Sequence, residues 1–308
     1  MFCAQKLMSI MPKINTYSKT SNATYARRIG LLLGLFLVQL FLINYVTNFQ
    51  FVSLEQLGFL LLGMVGAIFA NSTGAGGGVV FIPVFAHFGF SEAQAISTSF
   101  GIQCFGMTAG AVTWCVYYAN TNELNRQGWQ DFLPVVGIAS LFSIIGLWHN
   151  YVSELAAPAT LNKIFSTFSL LLGLSLLATI YFVRPRPIIP RLNSLDVVLL
   201  GVIAYCGGII TAWLSVGVGE VVAFYLILRR FDVTMSVAAA VVISAITVWS
   251  ATPHHFYPDS AANWEVLTFA GPGAVIGGIA ARRLVGQLSA RRLKVFFAVW
   301  LLIIGLAS

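Results

Sequence analysis

Apolar residues run along this chain in blocks separated by short polar loops, at about 30–49, 93–118, 132–150, 161–183, 233–253, 264–283 and 292–307. Blocks of this length suit membrane crossing, because about 20 helical residues at 1.5 Å each span the hydrocarbon core. Two further blocks, 54–89 and 195–230, are interrupted by glycines. The first contains Ser72-Thr73-Gly74-Ala75-Gly76-Gly77-Gly78. The second, 143 positions later, contains Ser215-Val216-Gly217-Val218-Gly219-Glu220. Each glycine gives up more backbone entropy than Ala, so runs this dense break a helix. The arms that follow, 78–89 and 218–229, reach only about 18 Å and are too short to cross. Both blocks therefore read as re-entrant hairpins.

Composition agrees with the pattern. The 308 residues are 58% hydrophobic and 9% charged, whereas a soluble domain carries roughly a quarter charged residues. The fold class expected is all-α polytopic membrane protein. Cys3, Cys104, Cys115 and Cys206 show no metal-ligand spacing and no disulfide framework. No metal or cofactor is expected. The net charge of +7 reads as topology signal on membrane loops rather than as a nucleic-acid surface, since basic and aromatic residues do not interleave.

The basic residues then orient the chain. With the N-terminus in the cytoplasm and each hairpin entering and leaving on one side, all of the 17 Lys and Arg residues except Lys163 fall inside. Residues 1–28 form a basic, disordered cytoplasmic tail, and 29–53 an extra transmembrane helix. Two units follow, 54–183 and 195–308, joined by a proline-rich cytoplasmic linker at 184–194. Each unit holds one broken-helix hairpin and three crossings. The first starts outside and the second inside, so they form an inverted-topology repeat, the usual internal symmetry of secondary transporters. Ser72/Ser215, Gly74/Gly217 and Gly76/Gly219 align at an offset of 143. The C-terminus falls on the external side.

The stretch Gly66-Ala67-Ile68-Phe69-Ala70-Asn71 through Gly78, followed by Ile82-Pro83, resembles the first signature of the TauE/SafE family of sulfite and sulfonate exporters. Gly207-Gly208 through Gly217-Val218-Gly219 is similar to its second-half counterpart. The resemblance covers residues 54–308 and implies a bacterial-type inner-membrane transporter of sulfur-containing or organic anions. One departure stands out: the family's second run commonly continues with glycine where this chain has Glu220.

Backbone N–H groups at a helix start bind oxyanions, because they lack partners and sit at the positive end of the helix dipole. Two such starts meeting at depth would form a substrate site from Asn71, Ser72, Thr73, Gly74, Gly76, Gly77 and Gly78 of the first elbow and Ser215, Gly217 and Gly219 of the second. Glu220, the only ionisable residue this topology places deep in the membrane, is the proton-coupling candidate. Ser97, Thr98, Ser99 and Gln103 on the next crossing are secondary candidates, as are Ser244 and Thr247 in the second unit. His254 and His255, near Asp259, are expected in a solvated outer loop. Trp114, Trp148, Trp213, Trp249 and Trp264 fall near segment ends and are expected as interfacial anchors.

Enzyme chemistry is not expected. Neither glycine run continues with Lys-Ser/Thr, and Val79 and Val222 occupy the last position of GxGxxG. The reading is export of sulfite, thiosulfate or an organosulfonate by alternating access. The partners are the anion, the bilayer and, as a candidate, a second copy in a homodimer. A proton-coupled importer, a channel and a non-transporting assembly scaffold are the alternatives.

Overall fold

The computed structural model describes residues 54–120, 126–157, 160–182, 191–287 and 290–307. The expected tail at 1–28, the extra crossing at 29–53 and most of the linker lie outside the described residues. Among the described residues the secondary structure is helical, without strands. Residues Val52–Ser308 form one compact unit.

The first glycine-broken block becomes two helices, α1 (Leu54–Thr73) and α2 (Gly78–His87). Gly74, at φ 82°, turns the chain out of α1, a conformation open to glycine without a Cβ clash. The long helix α3 (Glu92–Ala119) starts at Ser91, whose hydroxyl accepts the Gln94 N–H at 3.2 Å. Then come α4 (Phe132–Ser153) and α5 (Leu161–Phe182).

The second half opens with α6 (Ser194–Leu214). Its start is a reciprocal cap: Asn193 Oδ1 accepts from Asp196 N at 2.7 Å, and Asp196 Oδ2 accepts from Asn193 N at 3.2 Å. The second broken block continues with the short α7 (Val218–Leu228), and α8 (Val233–Phe256), α9 (Trp264–Gln287) and α10 (Ala290–Ala307) complete the chain. Five of these helices, α1, α4, α6, α8 and α9, are long and apolar enough to cross a membrane. The expected crossings at 93–118, 161–183 and 292–307 are also helical, as α3, α5 and α10.

Helices α3 and α8 pack on each other and are largely buried. Around them α1 packs on α9, α4 on α6, and α5 on α10. The first two of these contacts bring backbones together. A Cβ on Gly63 would lie 1.9 Å from Ala270 O, and one on Gly146 would lie 2.0 Å from Tyr205 O. Lipid tails are as apolar as Leu, so close packing of small residues, rather than expulsion of water, holds such helices together.

Two expectations need correction. His254 and His255 do not lie in a loop; they occupy the last turn of α8. Pro253 removes one N–H, but its ring does not end the helix, which runs on to Phe256. His255 is buried, stacks on Phe100 and bonds Ser97 Oγ at 3.1 Å and Tyr151 Oη at 2.8 Å. Trp114 is not an interfacial anchor either. It is 1% exposed, and its indole N–H donates to Asn71 O at 3.3 Å. Hydropathy finds an apolar helix but does not say which of its faces meets protein.

Candidate functional site

The two chain breaks meet in the interior. A Cβ on Gly78 would stand 2.6 Å from Ser215 O and 3.0 Å from Leu214 O, and one on Gly219 would stand 2.4 Å from Gly74 O. The elbows therefore touch backbone to backbone, and only glycine permits it. Asn71, Ser72, Thr73, Ser215 and Glu220 are all buried there.

Polar groups are paired across this contact. Gly76 N–H donates to Glu220 Oε1 at 2.6 Å, 144 positions away. Glu220 Oε2 accepts the Gly217 N–H at 2.8 Å. The carboxylate thus bridges an amide of each elbow. At the third position of α7 it supplies half of a capping box; Gly217 has no side chain to return the other half. Such charge-assisted bonds run about twice as strong as neutral ones.

Gln103 of α3 forms the second bridge. Its Oε1 accepts Gly77 N–H at 2.8 Å, while its Nε2 faces Ser215 O at 2.9 Å and Ser215 Oγ at 2.8 Å. Ser99 Oγ, one turn earlier, lies 3.0 Å from Ser215 Oγ and 3.2 Å from Gln103 Nε2. This network holds Ser215 at φ 57°, a left-handed conformation that costs a non-glycine residue about 1–2 kcal/mol. Thr211, one turn before it, caps Val218 N–H at 2.9 Å.

The remaining candidates divide. Thr73 Oγ1 donates back to Phe69 O at 2.8 Å and accepts Ala75 N–H at 3.3 Å, shaping the first elbow locally. Asn71 donates to Ala67 O at 2.8 Å and Gly106 O at 3.2 Å, which fixes α1 on α3, and its Oδ1 has no hydrogen-bond partner among the described residues. Ser72 Oγ reaches Ala281 O of α9 at 3.5 Å. Ser97 and Thr98 are brought elsewhere: Ser97 faces His255, and Thr98 Oγ1 accepts Asn263 N–H at 2.8 Å at the start of α9. Of the second-unit hydroxyls, Thr247 pairs with Ser143 at 2.6 Å. Ser244 is 3% exposed and its hydroxyl has no hydrogen-bond partner among the described residues. That hydroxyl would stand 2.3 Å from a Cβ on Gly219, so it lies against the first turn of α7.

This arrangement is a buried set of amides, hydroxyls and one carboxyl group at two facing helix starts, its amides paired with side chains of α3, α6 and α7. A family model described as the sulfite exporter TauE/SafE matches residues 59–308. The chain belongs to the TauE/SafE family. Among curated proteins and solved structures, nothing matches it. As a TauE/SafE protein with helices apolar enough to cross a bilayer, it is a multi-pass membrane protein of a family that transports sulfur-containing anions.

Several residues of this TauE/SafE chain escaped the sequence reading. Thr211 caps α7 from seven positions away, a spacing with no local signature. Asp196 takes Arg229 through both oxygens, at 2.6 and 2.8 Å, and Tyr225 Oη at 2.7 Å. The Asn193-Ser194-Leu195-Asp196 spacing carries a capping signal, which marks Asp196 as the helix start but not as the partner of Arg229.

Proposed function

We propose that this protein exports a small sulfur oxyanion, with sulfite, thiosulfate or an organosulfonate as cargo, by alternating access of two inverted units around the paired elbows. The observation that carries the reading is the backbone contact between Gly78 and Ser215 and between Gly219 and Gly74. It joins the break of one half to the break of the other, inside a cluster of polar donors. Paired broken helices are the usual place for a secondary transporter's substrate.

The helix packing supports the inverted repeat. If α1–α5 correspond to α6–α10, the contact of α1 with α9 is matched by that of α6 with α4. The contact of α3 with α9 is matched by that of α8 with α4. The pairs α3–α8 and α5–α10 map onto themselves. The hairpin bases support re-entrance. Asp196 near the start of α6 clasps Arg229 just after α7, and Phe59 of α1 meets Phe88 just after α2 edge-on at 6.1 Å. In each hairpin both arms therefore return to one end.

The test is flux. Purified protein in proteoliposomes should release preloaded sulfite or thiosulfate faster than empty vesicles, and the same anions should raise the melting temperature of the folded protein. Taurine, sulfoacetate and simple carboxylates complete the panel. Absence of flux for every anion, together with copurification of a partner complex, would replace the transporter reading with that of an assembly scaffold.

A further inference from the structure

Glu220 does something at the elbows that a local helix cap does not explain. Its two carboxylate oxygens are divided, one on Gly217 of its own elbow and one on Gly76 of the other half. A carboxylate presents two oxygens on a planar, delocalised anion, much as a sulfur oxyanion presents two of its three. The amides it takes are those that a substrate at the paired elbows would need. Against Gly219, in the first turn of α7, the buried hydroxyl of Ser244 has no hydrogen-bond partner among the described residues. Buried polar groups are almost always paired, so one left over against a helix start is a donor not used by the fold.

We propose that the Glu220 carboxylate is a tethered anion. In the absence of cargo it fills the two-amide cradle and latches the elbows together, and cargo binds by displacing it. The proposal rests on the elbow site of the function proposed above and adds to it a competitor built into the chain. The latch has two consequences. The empty carrier keeps its cradle neutralised, so the two elbows stay joined without a bound anion. Apparent affinity for cargo is lowered by the fraction of molecules whose latch is closed. Cargo must offer at least two oxygens on one centre to replace both bonds, which selects sulfite, sulfonate or thiosulfate over halide.

The test uses the full chain in detergent, with formate and sulfite as probes and melting temperature and sulfite titration as readouts. In Glu220→Ala the vacated cradle should accept free formate. Formate should raise the melting temperature of this variant and leave the wild type unmoved, with sodium chloride as the salt control. Sulfite should bind Glu220→Ala about tenfold or more tightly than the wild type, because the competitor is gone. Glu220→Gln, which preserves shape and one acceptor oxygen, should fall between the two and serves if the alanine variant does not fold. Equal responses of wild type and variants to formate overturn the latch. Sulfite binding that is equally tight with and without Glu220 also overturns it, while leaving the transporter reading in place. Formate rescue without binding of any sulfur anion upholds the latch and removes the proposed cargo.

Discussion

The two elbows reach the same turn by different means. In the first, Gly74 adopts its left-handed conformation without strain, and the amides leading into α2 are capped from far away in the chain, Gly76 by Glu220 and Gly77 by Gln103. In the second, Ser215 carries the left-handed backbone at a cost, and the amides leading into α7 are capped nearby, Gly217 by Glu220 and Val218 by Thr211. The second elbow thus caps its own helix start from nearby residues, with Gln103 and Ser99 holding its Ser215 from α3, and it lends its carboxylate to the first. The first has its own local bond from Ala75 N–H to Thr73 Oγ1, but the amides that start α2 depend on distant partners. An element held by long-range partners opens when those partners move, so the first elbow is the one that loses its caps when the halves shift.

The comparison breaks most severely where the elbows touch. Gly219→Ala places a methyl 2.3 Å from Ser244 Oγ and 2.4 Å from Gly74 O, and neither a backbone oxygen nor its helix can step aside cheaply. Overpacking of this kind costs about 1–3 kcal/mol or more. We expect a lower melting temperature and loss of anion flux. Gly58→Ala is the control, because nothing lies within 4 Å of its added methyl. If Gly219→Ala transported as well as the wild type, the contact would not be part of the working site.

A finer cut compares the distant cap with the local one. Gln103→Leu strands both Gly77 N–H and Ser215 O, one on each elbow. Each buried orphan costs about 1–3 kcal/mol. Thr211→Val strands the single Val218 N–H, and loss of a helix cap costs about 0.5–2 kcal/mol. Chemical denaturation should therefore rank Gln103→Leu well below Thr211→Val. Equal losses would mean that the first elbow holds its shape unaided, contrary to the contrast drawn above.

Much of this was readable in the chain, and the boundary is physical. Glycine density and arm length located both breaks, because both rules act within a few residues; α2 begins at Gly78 and α7 at Val218, close to the expected starts. The same locality marked Glu220 as unusual at a helix start. It could not supply Gly76 as its partner, since a contact spanning 144 positions depends on how the halves dock. Gln103 was legible only as a polar residue in an apolar helix. Trp114 and His255 were misplaced for a related reason: both lie toward the ends of apolar blocks, yet packing by α1 and by α4 with α3 takes them into the interior.

The smallest expected effect on stability separates holding from binding. Ser99 Oγ joins the elbow network, so Ser99→Ala removes hydrogen bonds and leaves the Ser215 hydroxyl proton without its acceptor, although Gln103 Nε2 keeps Ser215 O and Ser215 Oγ. That should cost about 1–3 kcal/mol and leave anion affinity nearly unchanged. Ser244 is the opposite case. Its buried hydroxyl gives nothing to the fold, so Ser244→Ala should be neutral within about 0.5 kcal/mol or slightly stabilising. If the hydroxyl belongs to the anion's donor set, the same substitution weakens sulfite binding about tenfold or more, as loss of one hydrogen bond to a charged group does. Melting curves and sulfite titrations on the two variants would show stability and affinity moving independently. A Ser244→Ala protein that binds sulfite as well as the wild type would show that the unpaired hydroxyl is only a flaw in packing, and would leave the amides of the two elbows as the whole of the site.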